Sequence, residues 1–282
     1  RTPSTRDLGN RRMTAVTRAE GGVHRRTTAG LAEHLRAQVR RYGTDRSYTF
    51  LTEGADGLAG ERRSLQDLDA AAQRTACLVD ELAGPERLVL LLFPAGFDFL
   101  QSFVGCLYAG VTAVPAPLPG NDAGARRVAA IVRDCGLDLV LTTAERRADV
   151  TRQLHAAGLP ASVRVVPCDD TAAPRTLPPP QEDAVALLQY TSGSTSDPKG
   201  VMVTHGNLGH NLAEMQARLG SGADTVGATW LPHFHDMGLI SLLGCWYSGG
   251  DCVFMDPMTF LRRPVRWLQA ISRWRATMTV AP

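Results

Sequence analysis

Apolar side chains recur along this chain at helical spacing, then in short continuous runs, then at helical spacing again, and this alternation predicts helices and strands in turn. Leu31, Leu35 and Val39 share one helix face, and Ser47 to Thr52 alternates as a short strand. Ser64-Leu65-Gln66-Asp67 resembles a capping box; Leu68, Ala72, Cys77, Leu78 and Leu82 continue that helix, and Gly84-Pro85 ends it. Leu88 to Phe93 is apolar on both faces, as an inner strand of a parallel sheet is. Helices around Phe99 to Tyr108, Arg126 to Cys135 and Ala144 to Ala157 then alternate with strands at Val111 to Val114, Leu137 to Thr142 and Val163 to Val166. Parallel neighbours need crossover helices, so the order predicts an α/β fold with largely parallel sheets flanked by helices.

Thr171 to Asp183, with Pro174 and Pro178-Pro179-Pro180, reads equally as a stiff connector between subdomains or as a surface loop. On the first reading, residues 27–180 form one α/β subdomain and 181–282 a second, truncated at its carboxyl end. Beyond the connector the pattern predicts strands at Ala184 to Gln189, Val226 to Leu231, Cys252 to Met255 and Thr277 to Val280. It also predicts helices at Leu208 to Leu219 and Val265 to Arg275, and another beginning near Met237. Residues 1–26 hold seven arginines with several Ser and Thr, broken by Asp7 and Glu20, and are expected to be a disordered leader. Both ends of the chain have the look of cut ends.

With 282 residues and 44% hydrophobic composition, the chain has enough apolar material for a substantial core. A net charge of +2 gives no long-range field that would argue for nucleic acid or an anionic membrane, so small-molecule partners are expected. The longest apolar run, from Leu88 to Phe93 and on to Phe97, is far short of the roughly 20 residues that cross a bilayer. Six scattered cysteines, with no C-x-x-C pair, read as reduced core thiols of a cytoplasmic protein.

Lys199 is the only lysine, against twenty-nine arginines. It lies in Tyr190-Thr191-Ser192-Gly193-Ser194-Thr195-Ser196-Asp197-Pro198-Lys199-Gly200, leaving the carboxyl end of a predicted strand, where open α/β sheets bind ligands. Gly193 lets the backbone turn tightly, while the hydroxyls and amides of Thr191, Ser192, Ser194 and Thr195 suit phosphate oxygens. A compact ammonium can approach terminal phosphates where the wide guanidinium fork would crowd the turn. A Walker A loop requires Gly at 198 and Ser or Thr at 200, where this chain has Pro198 and Gly200. By composition alone, a flexible Ser/Gly loop is an equal reading.

The ordered pattern T-S-G-S-T-x-D-P-K-G resembles the phosphate loop of the adenylate-forming superfamily, departing at Ser196, where that family usually carries Gly. Trp230-Leu231-Pro232-His233-Phe234-His235-Asp236-Met237-Gly238-Leu239 resembles the acyl-site segment of its fatty acyl-AMP ligases. So do Phe93 to Phe99, Gly105 to Val111 with Ala113 to Pro117, and Phe260 to Pro264 before Trp267-Leu268. The resemblance implies the incomplete amino-terminal portion of an enzyme that joins a fatty acid to ATP, forming acyl-adenylate and pyrophosphate. An acyl-carrier protein is the implied acceptor in lipid, polyketide or lipopeptide biosynthesis. It implies nucleotide binding by Thr191, Ser192, Gly193, Ser194, Thr195, Lys199 and Gly200, with Lys199 on the departing phosphates and Thr191 beside Mg²⁺. His235 is implied near the acyl carboxylate as a catalytic group with Lys199, and Asp236, Gly238 and Leu239 around the acid. An acyl-CoA synthetase, an amino-acid adenylation domain, or a truncated non-catalytic nucleotide-binding protein are the alternatives.

Other candidates have blander readings. His233 and His235 have H-x-H spacing but no third metal ligand nearby, so the acyl-site role is preferred for His235. His205 and His210 read as surface or cap residues, and Trp230 as core. Asp236 serves equally as a helix cap or as an orienter of His235. Arg262, Arg263 and Arg266 read as a solvated helix face before a carrier-protein contact.

Overall fold

The structure is a computed structural model that describes residues 30–54, 57–169, 175–191 and 199–281. The leader expected over 1–26, the start of the Thr171 to Asp183 connector, and the loop residues Ser192, Gly193, Ser194, Thr195 and Ser196 lie outside the described residues.

The elements run α1 (Leu31–Tyr42), β1 (Ser47–Gly54), β2 (Gly57–Ser64), α2 (Leu65–Leu82), β3 (Leu88–Leu92), α3 (Phe97–Ala109) and β4 (Thr112–Ala116). Next come α4 (Asp122–Cys135), β5 (Leu139–Thr142), α5 (Ala144–Ala156), β6 (Arg164–Pro167), β7 (Val185–Thr191), β8 (Lys199–Thr204) and α6 (His205–Leu219). The last are β9 (Val226–Thr229), α7 (Asp236–Ser248), β10 (Asp251–Met255), α8 (Pro257–Arg262), α9 (Val265–Trp274) and β11 (Met278–Thr279). The expected α/β architecture is present: one sheet has the order β6-β5-β3-β4-β7-β8 and the other β11-β9-β10-β1-β2. All pairings are parallel except β1 with β2 and β7 with β8.

Helices fill the space between the sheets. One core cluster joins Leu91 and Ala113 of the first sheet, Leu35, Leu68, Phe103 and Trp246 of the helices, and Tyr48 and Phe254 of the second. Leu90, Val114 and Val140, on the opposite face of the first sheet, meet Val128 and Val132 of α4 and Val150 of α5. The outer face of the second sheet, Leu51 with Val253 and Met255, meets Ala270 of α9. Helices therefore cover both faces of each sheet, as parallel strands require.

The boundary expected after residue 180 does not separate the sheets. β1 and β2 belong with β9 to β11, and β7 and β8 with β3 to β6. The physical reason is register: β10 has its own hydrogen-bonding edge and takes β1 as a parallel neighbour, Tyr48 opposite Cys252 and Phe50 opposite Phe254. Asp251 adds a clamp there, accepting from the amide and hydroxyl of Ser47 at 2.8 and 3.0 Å.

Two strands were not expected. β2 is exposed from Ala59 to Arg62 and carries Glu61, Arg62 and Arg63, so no apolar alternation marks it. β8 is also an edge strand, exposed over its first four residues. The predicted capping box is present: Ser64 Oγ accepts from the Asp67 amide at 3.0 Å, and the Asp67 carboxylate accepts from the Ser64 amide at 3.2 Å. Ser64→Ala should lower stability by about 1 kcal/mol. A urea midpoint equal to that of the native chain would show that the cap contributes nothing.

Candidate functional site

The phosphate-loop strand β7 is pinned to β4 by the parallel pair Ala113 and Leu187, so its last residue lies at the carboxyl end of the sheet. The chain returns as antiparallel β8 rather than entering a helix directly, with Thr191 opposite Lys199 and Tyr190 opposite Gly200. Lys199 is exposed at the first position of β8. Gly200 lies in close approach to Tyr190: a Cβ there would stand 3.0 and 3.2 Å from two ring carbons and 3.3 Å from the phenol oxygen. The Tyr190 phenol donates to Asp134 Oδ2 at 2.6 Å and lies 3.0 Å from Cys135 Sγ.

The acyl-site segment is a turn that feeds α7. The His235 amide donates to the Pro232 carbonyl at 3.0 Å, and the Leu239 amide to the His235 carbonyl at 2.9 Å. Gly238 is buried against that turn, and a Cβ on it would stand 2.1 Å from the Pro232 oxygen. Leu239 is fully buried in the core shared by both sheets. His235 is exposed at the N-cap of α7, its Nδ1 2.5 Å from Asp236 Oδ1. The same Asp236 oxygen accepts from the Met237 amide at 2.7 Å, so Asp236, the first residue of α7 and not its cap, holds a first-turn amide while it orients the imidazole.

His233 and His235 do not share one side of a strand. The segment is a turn, and His233 is buried with its ring centroid 4.2 Å from that of Phe99. Burial pushes His233 down to about 4, although the Phe93 carbonyl accepts from its ring; Nε2 has no partner. His205, expected at the surface or as a cap, is likewise buried, 2% exposed, because it starts α6 directly beneath the Ala184 end of β7, to whose carbonyl its amide donates. Its two ring nitrogens have no partner, and burial pushes it down to about 4. His210 is exposed. Trp230 is half-buried, stacked on Phe260 at 3.8 Å. Arg266 is not solvated: its side chain is 13% exposed and its Nε lies 3.6 Å from Glu53 Oε1.

The two expected segments are brought together by a residue that the sequence did not single out. Gln189, two residues before the end of β7, donates from Nε2 to the Phe234 carbonyl at 3.0 Å. Among the described residues no group of three or more His, Cys, Asp or Glu side chains could hold a metal ion. Among the same residues, no helix is long and apolar enough to cross a membrane.

Comparisons with known proteins agree on the family. The sequence pattern of the AMP-binding enzyme family matches residues 35–282. A medium-chain-fatty-acid–[acyl-carrier-protein] ligase, JamA, from Moorena producens is 37% identical over 246 residues, covering 84% of this chain and 41% of that protein. A long-chain-fatty-acid–AMP ligase, FadD32, from Mycolicibacterium smegmatis is 34% identical over 266 residues, 90% of this chain and 42% of that protein. The crystal structure of a fatty acyl-adenylate ligase from L. pneumophila, in complex with acyl adenylate and pyrophosphate, aligns with a TM-score of 0.77 at 31% identity, over 90% of this chain and 44% of that one. The chain thus spans about two-fifths of the length of the curated relatives it matches. With the family pattern matched across residues 35–282, the chain belongs to the AMP-binding enzyme family.

Proposed function

We propose that this chain is the amino-terminal part of an enzyme that activates a fatty acid with ATP. The acid's carboxylate oxygen bonds to the α-phosphorus, the bond from that phosphorus to the bridging oxygen of the β-phosphate breaks, and pyrophosphate leaves with the electron pair. The reading is supported most by the Gln189 hydrogen bond to the Phe234 carbonyl, which sets the strand leading to Lys199 beside the turn carrying His235.

Such chemistry depends on positioning and charge stabilisation more than on covalent help from the protein. In this reading the Lys199 ammonium, with Ser192, Gly193, Ser194, Thr195 and Gly200, holds the departing phosphates. His235, oriented by Asp236, meets the carboxylate of the acid, and the buried Gly238 and Leu239 back the turn that carries it rather than touching the acid. Mg²⁺ is a hard cation that takes six oxygen ligands. Thr191 would offer one hydroxyl, and water and the substrate phosphates would supply most of the other oxygens. No step is routed through the ion. The acceptor is taken to be an acyl-carrier protein, on the strength of the acceptor in the Moorena producens relative's name.

ATP–pyrophosphate exchange on the complete gene product tests the reading, with medium-chain acids, long-chain acids and amino acids as separate substrates. Exchange that depends on a fatty acid is expected, and Lys199→Ala should reduce it by about a hundredfold. Lys199→Arg should not restore it, because the guanidinium fork does not replace a compact ammonium. Exchange driven only by amino acids, or full exchange in the alanine variant, would refute the proposal.

A further inference from the structure

Asp134 occupies the last turn of α4, where a negative charge opposes the helix dipole and stabilises nothing in the helix itself. It is exposed, yet it accepts a 2.6 Å hydrogen bond from the phenol of Tyr190, 56 residues away. Burial, and next the hydrogen bond to Asp134, push the Tyr190 phenol up, so it remains a donor. Its single proton goes to the carboxylate, which leaves the phenol oxygen to accept from the Cys135 thiol 3.0 Å away. The chain of bonds runs thiol to phenol to carboxylate, each step polarising the next.

The ring itself is held on the other side. Gly200 lies opposite Tyr190, and with no side chain of its own it lets the ring lie across β8. One pair further along, Thr191 faces Lys199, the final pair of the β7–β8 hairpin. β8 is an edge strand, so only β7 holds it through the sheet.

We propose that Tyr190 and Asp134 are positioning residues for nucleotide binding: their hydrogen bond fastens the loop end of the β7–β8 hairpin to α4 and fixes where the Lys199 ammonium sits. This rests on the reading of Lys199 as the phosphate-binding cation. Without the bond, the hairpin end samples arrangements that do not bind phosphate. Apparent affinity for ATP then falls in proportion to the competent fraction, while turnover at saturating ATP is kept.

The test is ATP–pyrophosphate exchange and calorimetric ATP titration on the complete gene product, with thermal unfolding of each variant. Tyr190→Phe and Asp134→Ala should each raise KM and Kd for ATP by about tenfold, with kcat and the KM for the acid close to native. Asp134→Asn keeps an oxygen acceptor and should fall between. In Asp134→Ala the removal of a charge that opposes its helix offsets the loss of the phenol's acceptor, so the unfolding temperature should shift little, and affinity lost at an unchanged folded fraction cannot be ascribed to lost folding. Unchanged KM and Kd for ATP in Tyr190→Phe and Asp134→Ala would overturn the proposal while leaving the functional reading intact. So would a fall in kcat at unchanged KM, the mark of a smaller folded fraction. A native protein with neither exchange nor ATP binding overturns the functional reading and this proposal with it.

Discussion

Gly238→Ala is expected to destabilise the chain by about 3 kcal/mol, the upper end for forcing one extra carbon into a packed interior. Helix propensity alone gives the opposite sign, because alanine is better than glycine inside a helix by about 1 kcal/mol. Geometry decides between them. The added carbon would stand 2.1 Å from the Pro232 oxygen, 2.6 Å from its carbonyl carbon and 2.9 Å from the Leu231 oxygen. All three are backbone atoms, so no rotamer change relieves the clash, and the turn carrying His233 to His235 has to move. Thermal unfolding checks this, and a midpoint equal to or above that of the native chain would show that α7 does not press on the turn as described.

Mild acid should destabilise the chain steeply. His205 and His233 are both pushed down by burial, from an ordinary 6.5 to about 4. In the unfolded chain they protonate near 6.5, so below that pH the unfolded state binds more protons and stability falls with pH. The stabilisation is fully present above about 6.5 and is lost as pH descends through 4. Around pH 5 the two together cost about 2.7 kcal/mol per pH unit, with about 3 kcal/mol at stake for each. Asp98, pushed up by burial, contributes with the opposite sign, but only around the carboxylate range. Urea midpoints between pH 7.5 and 4.5 should therefore drop sharply, and much less in a His205→Gln, His233→Gln double variant. A flat native profile over that interval would mean that both rings charge freely in the folded state.

Segments whose side chains face a core on both sides were legible in the sequence. Leu88 to Phe93 reads as an inner strand because no polar residue interrupts it, and β3 lies there. β2 was not legible, since Glu61 and Arg62 meet water, Arg63 lies over the Phe97 ring, and no apolar period runs through them. Nor does anything local announce that Tyr48 pairs with Cys252, because that choice is made by assembly. The candidate site divides the same way. Lys199 and His235 stand out by residue type and motif, and the sheet places β7 at the expected carboxyl edge. The bonds that set these segments, Gln189 to Phe234 and Tyr190 to Asp134, join residues 45 and 56 apart, and polar side chains on a strand give no hint of their partners. His205 misleads for a related reason: a helix start usually meets solvent, but here the strand above covers it.

Because β10 lies between β9 and β1, the second sheet closes only across contacts such as Ser47 to Asp251, 204 residues apart. On the ribosome, at roughly 5 to 20 residues per second, the hairpin of β1 and β2 emerges about 10 to 40 seconds before its neighbour exists. Throughout that interval the unpaired side of β1, bearing Tyr48 and Phe50, can recruit strands from other nascent chains, a risk that any chaperone serving this protein has to cover.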